Sequence, residues 1–164
     1  MEIKEKKVWL ITDTHFFHKN IAKLCGRPDD HTELILKNWR ESVNDNDITI
    51  HMGDVIFGLE GGLKDMLDSV PGEKILIRGN HDKRKPDWYM RNGFIICLES
   101  LVYKGVLITH TPAQRLQNGC TLNVHGHYHN NDKEFWEYPT HHFNRLYAIE
   151  NTNYMPVLFD EFVK

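Results

Sequence analysis

The sequence lacks the features that mark several protein classes. Its three cysteines are widely separated and include no C-x-x-C pair, so neither a disulfide framework nor a thiolate zinc site is indicated. No apolar run reaches 18 residues, and residues 1–7 show no signal segment. The formal net charge of −3 gives no positive field for duplex nucleic acid or an anionic membrane. We expect a reduced, cytoplasmic protein that does not contact a membrane, and the oligomeric state stays open.

Histidine, in contrast, is abundant. Eleven of the 164 residues are histidine, the commonest metal ligand and the side chain best suited to proton transfer near neutral pH. The length fits one domain, residues 1–164, and such a domain buries roughly 70% of its unfolded surface.

The first half of the chain alternates strand-like and helix-like segments. Short apolar runs rich in β-forming residues predict strands, and amphipathic segments between them predict helices. The predicted strands are residues 7–12, 48–52 and 74–77, and the predicted helices are residues 20–25, 31–43, 63–69 and 86–91. This alternating order predicts an α/β core with parallel strands.

The second half is predicted to be mostly β-structure. The strand-like runs are residues 94–98, 101–103, 106–109, 121–124, 146–149 and 157–159. Lys104 and Gly105 are suited to a hairpin turn between two of these runs. Residues 130–143 are predicted to form a long irregular surface loop, and such loops often carry substrate contacts.

Polar side chains follow five of the apolar runs, in the sequences I-T-D-T-H, H-M-G-D, I-R-G-N-H-D, L-I-T-H and V-H-G-H-Y-H. Ligands of open α/β sheets bind beyond the carboxyl ends of the strands, so we expect these side chains to converge. The candidate metal ligands are Asp13, His15, Asp54, Asn80, His110, His127 and His129. Imidazole, carboxylate and amide ligands suit Mn²⁺, Fe²⁺ or Zn²⁺ better than Mg²⁺ or Ca²⁺. Seven ligands are too many for one ion and suit two, an arrangement that recurs in phosphate ester hydrolysis.

The blocks D-T-H, G-D, G-N-H-D, T-H and G-H-Y-H, in this order, resemble the calcineurin-like metallophosphoesterases. They extend from Asp13 to His129 and therefore cover most of the chain. The flanking words D-T-H-F-F-H-K-N-I, R-P and N-Y-M-P-V resemble a small single-domain branch found in bacteria and phages. The resemblance implies an α/β fold, a four-layer sandwich in which two mixed β-sheets are flanked by helices.

The resemblance also implies a role for each matching residue. Asp13, His15 and His129 would hold one ion, Asn80, His110 and His127 the other, and Asp54 would bridge them. A hydroxide activated by both ions would attack phosphorus, and His81 would act as the general acid for the leaving group. Asp82, which follows His81, would orient the site. Mn²⁺ is the favoured ion, with Fe²⁺, Zn²⁺, Ni²⁺ and Co²⁺ as alternatives.

One departure from the family pattern bears on the substrate. Protein phosphatases of this family extend the G-D block with a further aspartate and an arginine, whereas here Asp54 is followed by V-I-F-G. The resemblance therefore argues against a phosphoprotein phosphatase and, without an arginine at that position to clamp a phosphate dianion, favours a phosphodiester or nucleotide-like substrate. A phosphomonoesterase or nucleotidase is the alternative, and a non-catalytic protein-binding scaffold on the same fold is a further one.

Several other residues are candidates for contacts around the site. His18 is a candidate for contact with substrate or a metal ligand, with an ordinary position at a helix start as the alternative. Arg27, before Pro28, is a candidate phosphate ligand with a surface turn as the alternative. The candidates for stacking a base, with simple packing as the alternative, are Trp88, Tyr89 and Trp136. The histidines assigned structural or solvent-exposed roles are His125, His141 and His142.

Overall fold

The computed structural model describes residues 6–58, 60–117, 119–131 and 133–164. The strands are β1 (Val8–Ile11), β2 (Ile48–His51), β3 (Glu73–Ile77), β4 (Ile96–Leu98), β5 (Leu101–Tyr103), β6 (Val106–Ile108), β7 (Leu122–His125), β8 (Asn144–Leu146) and β9 (Val157–Leu158). One sheet has the order β4-β3-β2-β1-β9, in which β1 to β4 are parallel and β9 is antiparallel. The other has the order β5-β6-β7-β8, with β5 antiparallel to β6. Both sheets are therefore mixed.

Four helices lie between the parallel strands of the first sheet, and a short fifth helix follows β9. They are α1 (Ile21–Cys25), α2 (His31–Ser42), α3 (Leu63–Asp68), α4 (Pro86–Arg91) and a short α5 (Phe159–Phe162). Single 3-10 turns occur at Glu60–Gly62, Lys133–Phe135 and Ile149–Thr152. Within the described ranges, no helix has the length and apolar character needed to cross a membrane.

The central strands of the first sheet, β1 to β3, are largely buried on both faces, whereas the edge strands β4 and β9 are partly exposed. Side chains alternate along a strand, so neighbouring residues contribute to different cores. In β1, Ile11 belongs to the core under the helices, which also contains Trp39 of α2, whereas Leu10 belongs to the core between the sheets, which also contains Val124. Burial on both faces explains why the sequences of these strands are nearly continuous apolar runs and do not alternate between apolar and polar residues. The predicted sandwich of two mixed sheets flanked by helices is confirmed.

Two predicted strands end differently. The run at residues 146–149 was expected to be a strand, but β8 ends at Leu146. Tyr147 belongs to the core between the sheets and Ile149 to the core under the helices, because the chain passes from one core to the other here. The last strand is also shorter than predicted, since Phe159 begins α5.

Candidate metal centre

The turns that follow β1 and β2 run side by side beyond the ends of these parallel strands. The backbone N–H of Asp13 donates to Gly53 O (2.9 Å), and that of His15 donates to Asp54 O (3.0 Å). The pairing continues to a bridge between Phe16 and Ile56. Extended pairing of the two turns therefore places the D-T-H and G-D blocks in direct contact.

A first group of ligand atoms is formed by Asp13, His15 and His129, all buried. Asp13 Oδ1 lies 3.8 Å from His129 Nε2 and 4.0 Å from His15 Nε2. Asp13 Oδ2 is held by hydrogen bonds from Thr12 Oγ1 (2.5 Å) and His127 N (3.0 Å). In the described structure, Asp13 Oδ1 and both ring nitrogens of His15 have no hydrogen-bond partner. Buried polar groups are normally paired, so these atoms are suited to an ion.

A second group is formed by Asn80, His110 and His127. Asn80 Oδ1 lies 2.8 Å from His110 Nε2 and 3.0 Å from His127 Nδ1, and the two ring nitrogens are 3.2 Å apart. Adjacent ligands of an ion bound at about 2.1 Å are separated by about 3 Å. The Nδ1–H of His110 donates to Met52 O (2.8 Å), which leaves the lone pair of a neutral ring on Nε2. The described residues thus contain two groups able to bind divalent metal ions.

Asp54 lies between the two groups. Its Oδ1 accepts a hydrogen bond from the backbone N–H of His81 (2.8 Å). Its Oδ2 lies 3.6 Å from His15 Nε2 and 3.4 Å from His110 Nε2. One oxygen is therefore held by the fold, while the other faces ligand atoms of both groups.

The carboxylates of the site favour positive charge at two of the candidate ligands, His110 and His129, whereas burial lowers the pKa of His15 and of His127. Burial alone lowers the pKa of His110, but Asp54 and Asp13 outweigh it and raise that pKa to about 9. Burial likewise opposes protonation of His129, yet Asp13, with Cys25 and Glu150, raises its pKa to about 10. Carboxylates that stabilise a buried imidazolium also stabilise a divalent cation at the same place.

The backbone at the site is left-handed at most of the candidate ligands. Positive φ angles occur at Asp13 (49°), His15 (45°), Asp54 (55°), His127 (74°) and His129 (52°). Such conformations are uncommon for residues other than glycine and cluster at functional sites. The left-handed backbone thus coincides with the residues that carry the candidate ligand atoms.

Two glycines allow the close approach of the turns. A Cβ atom at Gly79 would overlap Asp54 Oδ1, and a Cβ atom at Gly126 would overlap Asp13 Oδ2. The glycines of the G-N-H-D and G-H-Y-H blocks are therefore required by packing against the carboxylates.

A buried ion pair supports His129. Glu150 Oε1 accepts hydrogen bonds from His129 Nδ1 (3.0 Å) and from Arg27 Nη2 (2.6 Å). The Arg27 side chain is fully buried and also donates to the carbonyl oxygens of Asp13 (2.7 Å) and Thr14 (3.0 Å). The predicted phosphate contact of Arg27 is therefore wrong, because its donors face inward. Glu150 was missed, since it lies outside the recognised motifs.

Asp82 holds together two of the turns that carry the site. Its Oδ2 accepts from the backbone N–H groups of Asp54 (2.9 Å) and Gly79 (2.8 Å), and its Oδ1 accepts from Val55 N (3.1 Å). It is buried, and burial raises its pKa. Asp82 thus joins the turns after β2 and β3 and positions Asp54.

His81 is exposed at the rim of the two groups, with its ring centroid 5.5 Å from that of His15. His18 is half-buried, and its ring centroid lies 5.3 Å from that of His15, so it lies at the site. Tyr89 packs in the core under the helices, with Trp88 against it. Trp136 stacks on Tyr128, with centroids 4.5 Å apart.

Three further histidines lie away from the two ligand groups, in the positions expected from the sequence. His125 is buried on the strand face opposite Val124, and its Nδ1 donates to Gly126 O (2.9 Å). His141 and His142 are exposed in the irregular loop.

Comparison with known proteins places these features in a wider group. The chain is 36% identical to the uncharacterized protein MJ1445 of Methanocaldococcus jannaschii, across 97% of this chain and 90% of that protein. It is 33% identical to the Gene 66 protein of Mycobacterium phage D29, across 48% of this chain and 42% of the phage protein.

Solved structures share the fold. The protein of unknown function AQ665 from Aquifex aeolicus superposes with a TM-score of 0.70 at 24% identity, covering 96% of this chain and 97% of its own. The nuclease MPE of Pseudomonas putida superposes with a TM-score of 0.54 at 20% identity, covering 74% of this chain and 61% of its own. The family model for calcineurin-like phosphoesterases matches residues 6–161. With its paired ligand groups at the strand ends, the chain belongs to the calcineurin-like phosphoesterase family.

Proposed function

We propose that this phosphoesterase is a phosphodiesterase that hydrolyses a nucleotide-like substrate at a dinuclear centre. The observation that carries the proposal is the position of Asp54 Oδ2, within 3.6 Å of ligand atoms from both groups. Asp13, His15 and His129 would hold one ion, Asn80, His110 and His127 the other, and Asp54 would bridge them, with Mn²⁺ as the favoured ion.

Two bound divalent ions supply an activated water near neutral pH and neutralise phosphoryl oxygens. The residues of the chain supply the rest. His81 is exposed beside His15, where it gives its proton to the leaving oxygen. The backbone N–H of His81 donates a hydrogen bond to Asp54, so the backbone of the proposed general acid is held at a fixed position relative to the proposed bridging carboxylate.

The distribution of positive charge supports a diester. Arg27 is buried and paired with Glu150, so it cannot clamp a phosphate dianion. A phosphodiester carries a single negative charge and needs less compensation. The Pseudomonas putida neighbour is a nuclease, and nucleases cleave phosphodiesters, which adds support.

A phosphomonoesterase or nucleotidase is the second candidate. Lys83 follows Asp82 and is exposed two residues after His81, where it can meet a dianionic phosphate. The two candidate functions use the same site and differ in the charge of the substrate, which is one negative charge for a diester and two for a monoester dianion.

The test uses protein purified without chelator, then stripped of metal and reloaded with Mn²⁺ or with Zn²⁺. Hydrolysis of bis-p-nitrophenyl phosphate is compared with that of p-nitrophenyl phosphate. We expect Mn²⁺ to restore activity, with kcat/KM higher for the diester. A higher kcat/KM for the monoester would support the nucleotidase instead. Absence of activity on both esters with every ion would contradict enzymatic function and favour the scaffold.

A further inference from the structure

An exposed aromatic ring lies beside the proposed acid. Phe57 is 44% exposed, although the preceding residues Val55 and Ile56 are buried. Its backbone N–H donates to Phe16 O (3.0 Å), which fixes the turn that carries it. The Phe57 ring centroid lies 5.8 Å from that of His81, with an interplanar angle of 72°. A large apolar surface is therefore held open at the rim of the metal centre.

His18 supports this ring. The His18 and Phe57 rings are stacked, with centroids 4.1 Å apart and an interplanar angle of 27°. His18 in turn lies 5.3 Å from His15, one of the proposed ligands. The stack connects Phe57 to the buried part of the site and fixes the plane of its ring.

The position of His81 determines what can lie on Phe57. A general acid must be within hydrogen-bond distance of the oxygen that it protonates. On the proposed function, that oxygen belongs to the leaving alcohol, so the substituent on the oxygen begins next to His81. Phe57 is in contact with His81 and exposed, and it is therefore placed to meet that substituent.

We propose that Phe57, supported by His18, is a stacking platform for the leaving group, and that the preferred substrates are phosphodiesters whose leaving alcohol carries a nucleobase. This inference rests on the proposed function. Stacking on an aromatic side chain contributes about 5-fold to 150-fold in affinity per base and tolerates different bases. We therefore expect selectivity for a planar base without strong selectivity among bases.

The experiment uses the Mn²⁺-loaded full chain and three dinucleoside monophosphates. One is thymidylyl-thymidine, and in each of the other two the base of one sugar is replaced by hydrogen. Product analysis identifies which nucleoside leaves. Phe57→Leu removes the ring but retains apolar bulk, whereas Phe57→Trp retains an aromatic face. Metal content of both variants should match the parent, because Phe57 is not one of the proposed ligands, and thermal unfolding checks that both variants are folded at the assay temperature.

In the parent, loss of the base on the leaving sugar should lower kcat/KM by about 5-fold to 150-fold. In Phe57→Leu this ratio should fall to about one, and in Phe57→Trp it should be retained. Loss of the base on the other sugar should have the same effect in all three proteins. An unchanged ratio in Phe57→Leu would show that Phe57 does not stack the leaving group, while the phosphodiesterase proposal would stand. No hydrolysis of any diester by the parent would instead contradict the proposed function itself.

Discussion

Strand β2 is preceded by Asp47 and followed by Asp54, and both carboxylates are buried. At the amino end, Asp47 accepts hydrogen bonds from Lys7 N (3.1 Å), Trp9 Nε1 (3.0 Å) and Asn44 N (3.1 Å). At the carboxyl end, Asp54 Oδ1 is bonded to His81 N, but Oδ2 faces two histidine nitrogens. Both oxygens of the Asp47 carboxylate thus accept hydrogen bonds within the fold, whereas only one oxygen of the Asp54 carboxylate accepts a backbone hydrogen bond.

The two buried aspartates differ in the groups that stabilise their ionised form. Burial alone would raise the pKa of Asp47, but the N–H groups that bond to it hold that pKa below its usual range. Burial would also raise the pKa of Asp54, and here His110 and His15, with the His81 N–H, hold it low. Both aspartates remain ionised at neutral pH. Only Asp54 directs an ionised oxygen at groups that can share a cation.

Replacing the two aspartates tests this comparison most strongly. We expect Asp54→Asn to lower kcat/KM for bis-p-nitrophenyl phosphate by about a thousandfold or more, because the charge shared by both ions is lost. Asp47→Asn is the matched control and should retain the parent kcat/KM where both proteins are folded. Equal losses of activity in the two variants would remove the distinction between the ends of β2.

His81→Ala separates binding of the ions from proton transfer. We expect kcat to fall by about 10²-fold to 10⁴-fold while the content of bound ions is unchanged, because His81 is a general acid and not a ligand. The rate should be measured where chemistry limits turnover. His142→Ala replaces an exposed histidine of the loop and should be as active as the parent. Full activity of His81→Ala would rule out the acid role.

Glu150→Gln tests the support of His129. The charged acceptor of His129 Nδ1–H is lost, and we expect affinity for one of the ions to fall by about 10-fold to 100-fold. The unpaired Arg27 should also destabilise the fold by about 3 kcal/mol. Metal titration and urea unfolding measure the two effects.

The double variant Arg27→Gln/Glu150→Gln distinguishes them. Removing the unpaired charge should recover stability, while the affinity deficit should remain because His129 still lacks its carboxylate. Recovery of metal affinity together with stability would show that Glu150 acts on the fold alone.

The smallest expected effect concerns the amino end. Asp47→Asn should destabilise the fold by about 1–3 kcal/mol at pH 7, because the N–H donors lose a charged acceptor. The pKa of Asp47 is lower in the folded state, so its stabilisation is present above the unfolded pKa of about 3.9 and is lost as the pH falls further. Urea unfolding of parent and variant should therefore differ at pH 7 and converge below about pH 4. A difference that stays constant with pH would contradict this account.

Much of the fold could be predicted from sequence because burial on both faces produces readable apolar runs. The hairpin turn at Lys104 and Gly105 was also predictable, and both residues have positive φ angles. The run around Tyr147 could not be assigned, because an apolar segment that crosses between two cores looks like a strand.

The site was predictable as a set of motifs but not as a set of contacts. The left-handed turns at Asp13 and Asp54 are uncommon for residues other than glycine and cannot be assigned from local sequence alone. Glu150 reaches His129 through a contact 21 residues apart in sequence, and nothing around it indicates a site. The inward orientation of the Arg27 side chain could not be predicted either, because it depends on hydrogen-bond acceptors that are brought together only in the folded structure.

The central claim is that Asp54 lies between two ions while Asp47 holds none. Anomalous diffraction from crystals grown with Mn²⁺ tests it directly. The account predicts two peaks about 3.5–4 Å apart, with Asp54 Oδ2 between them and no peak at Asp47. A single peak, or peaks that Asp54 does not touch, would contradict it.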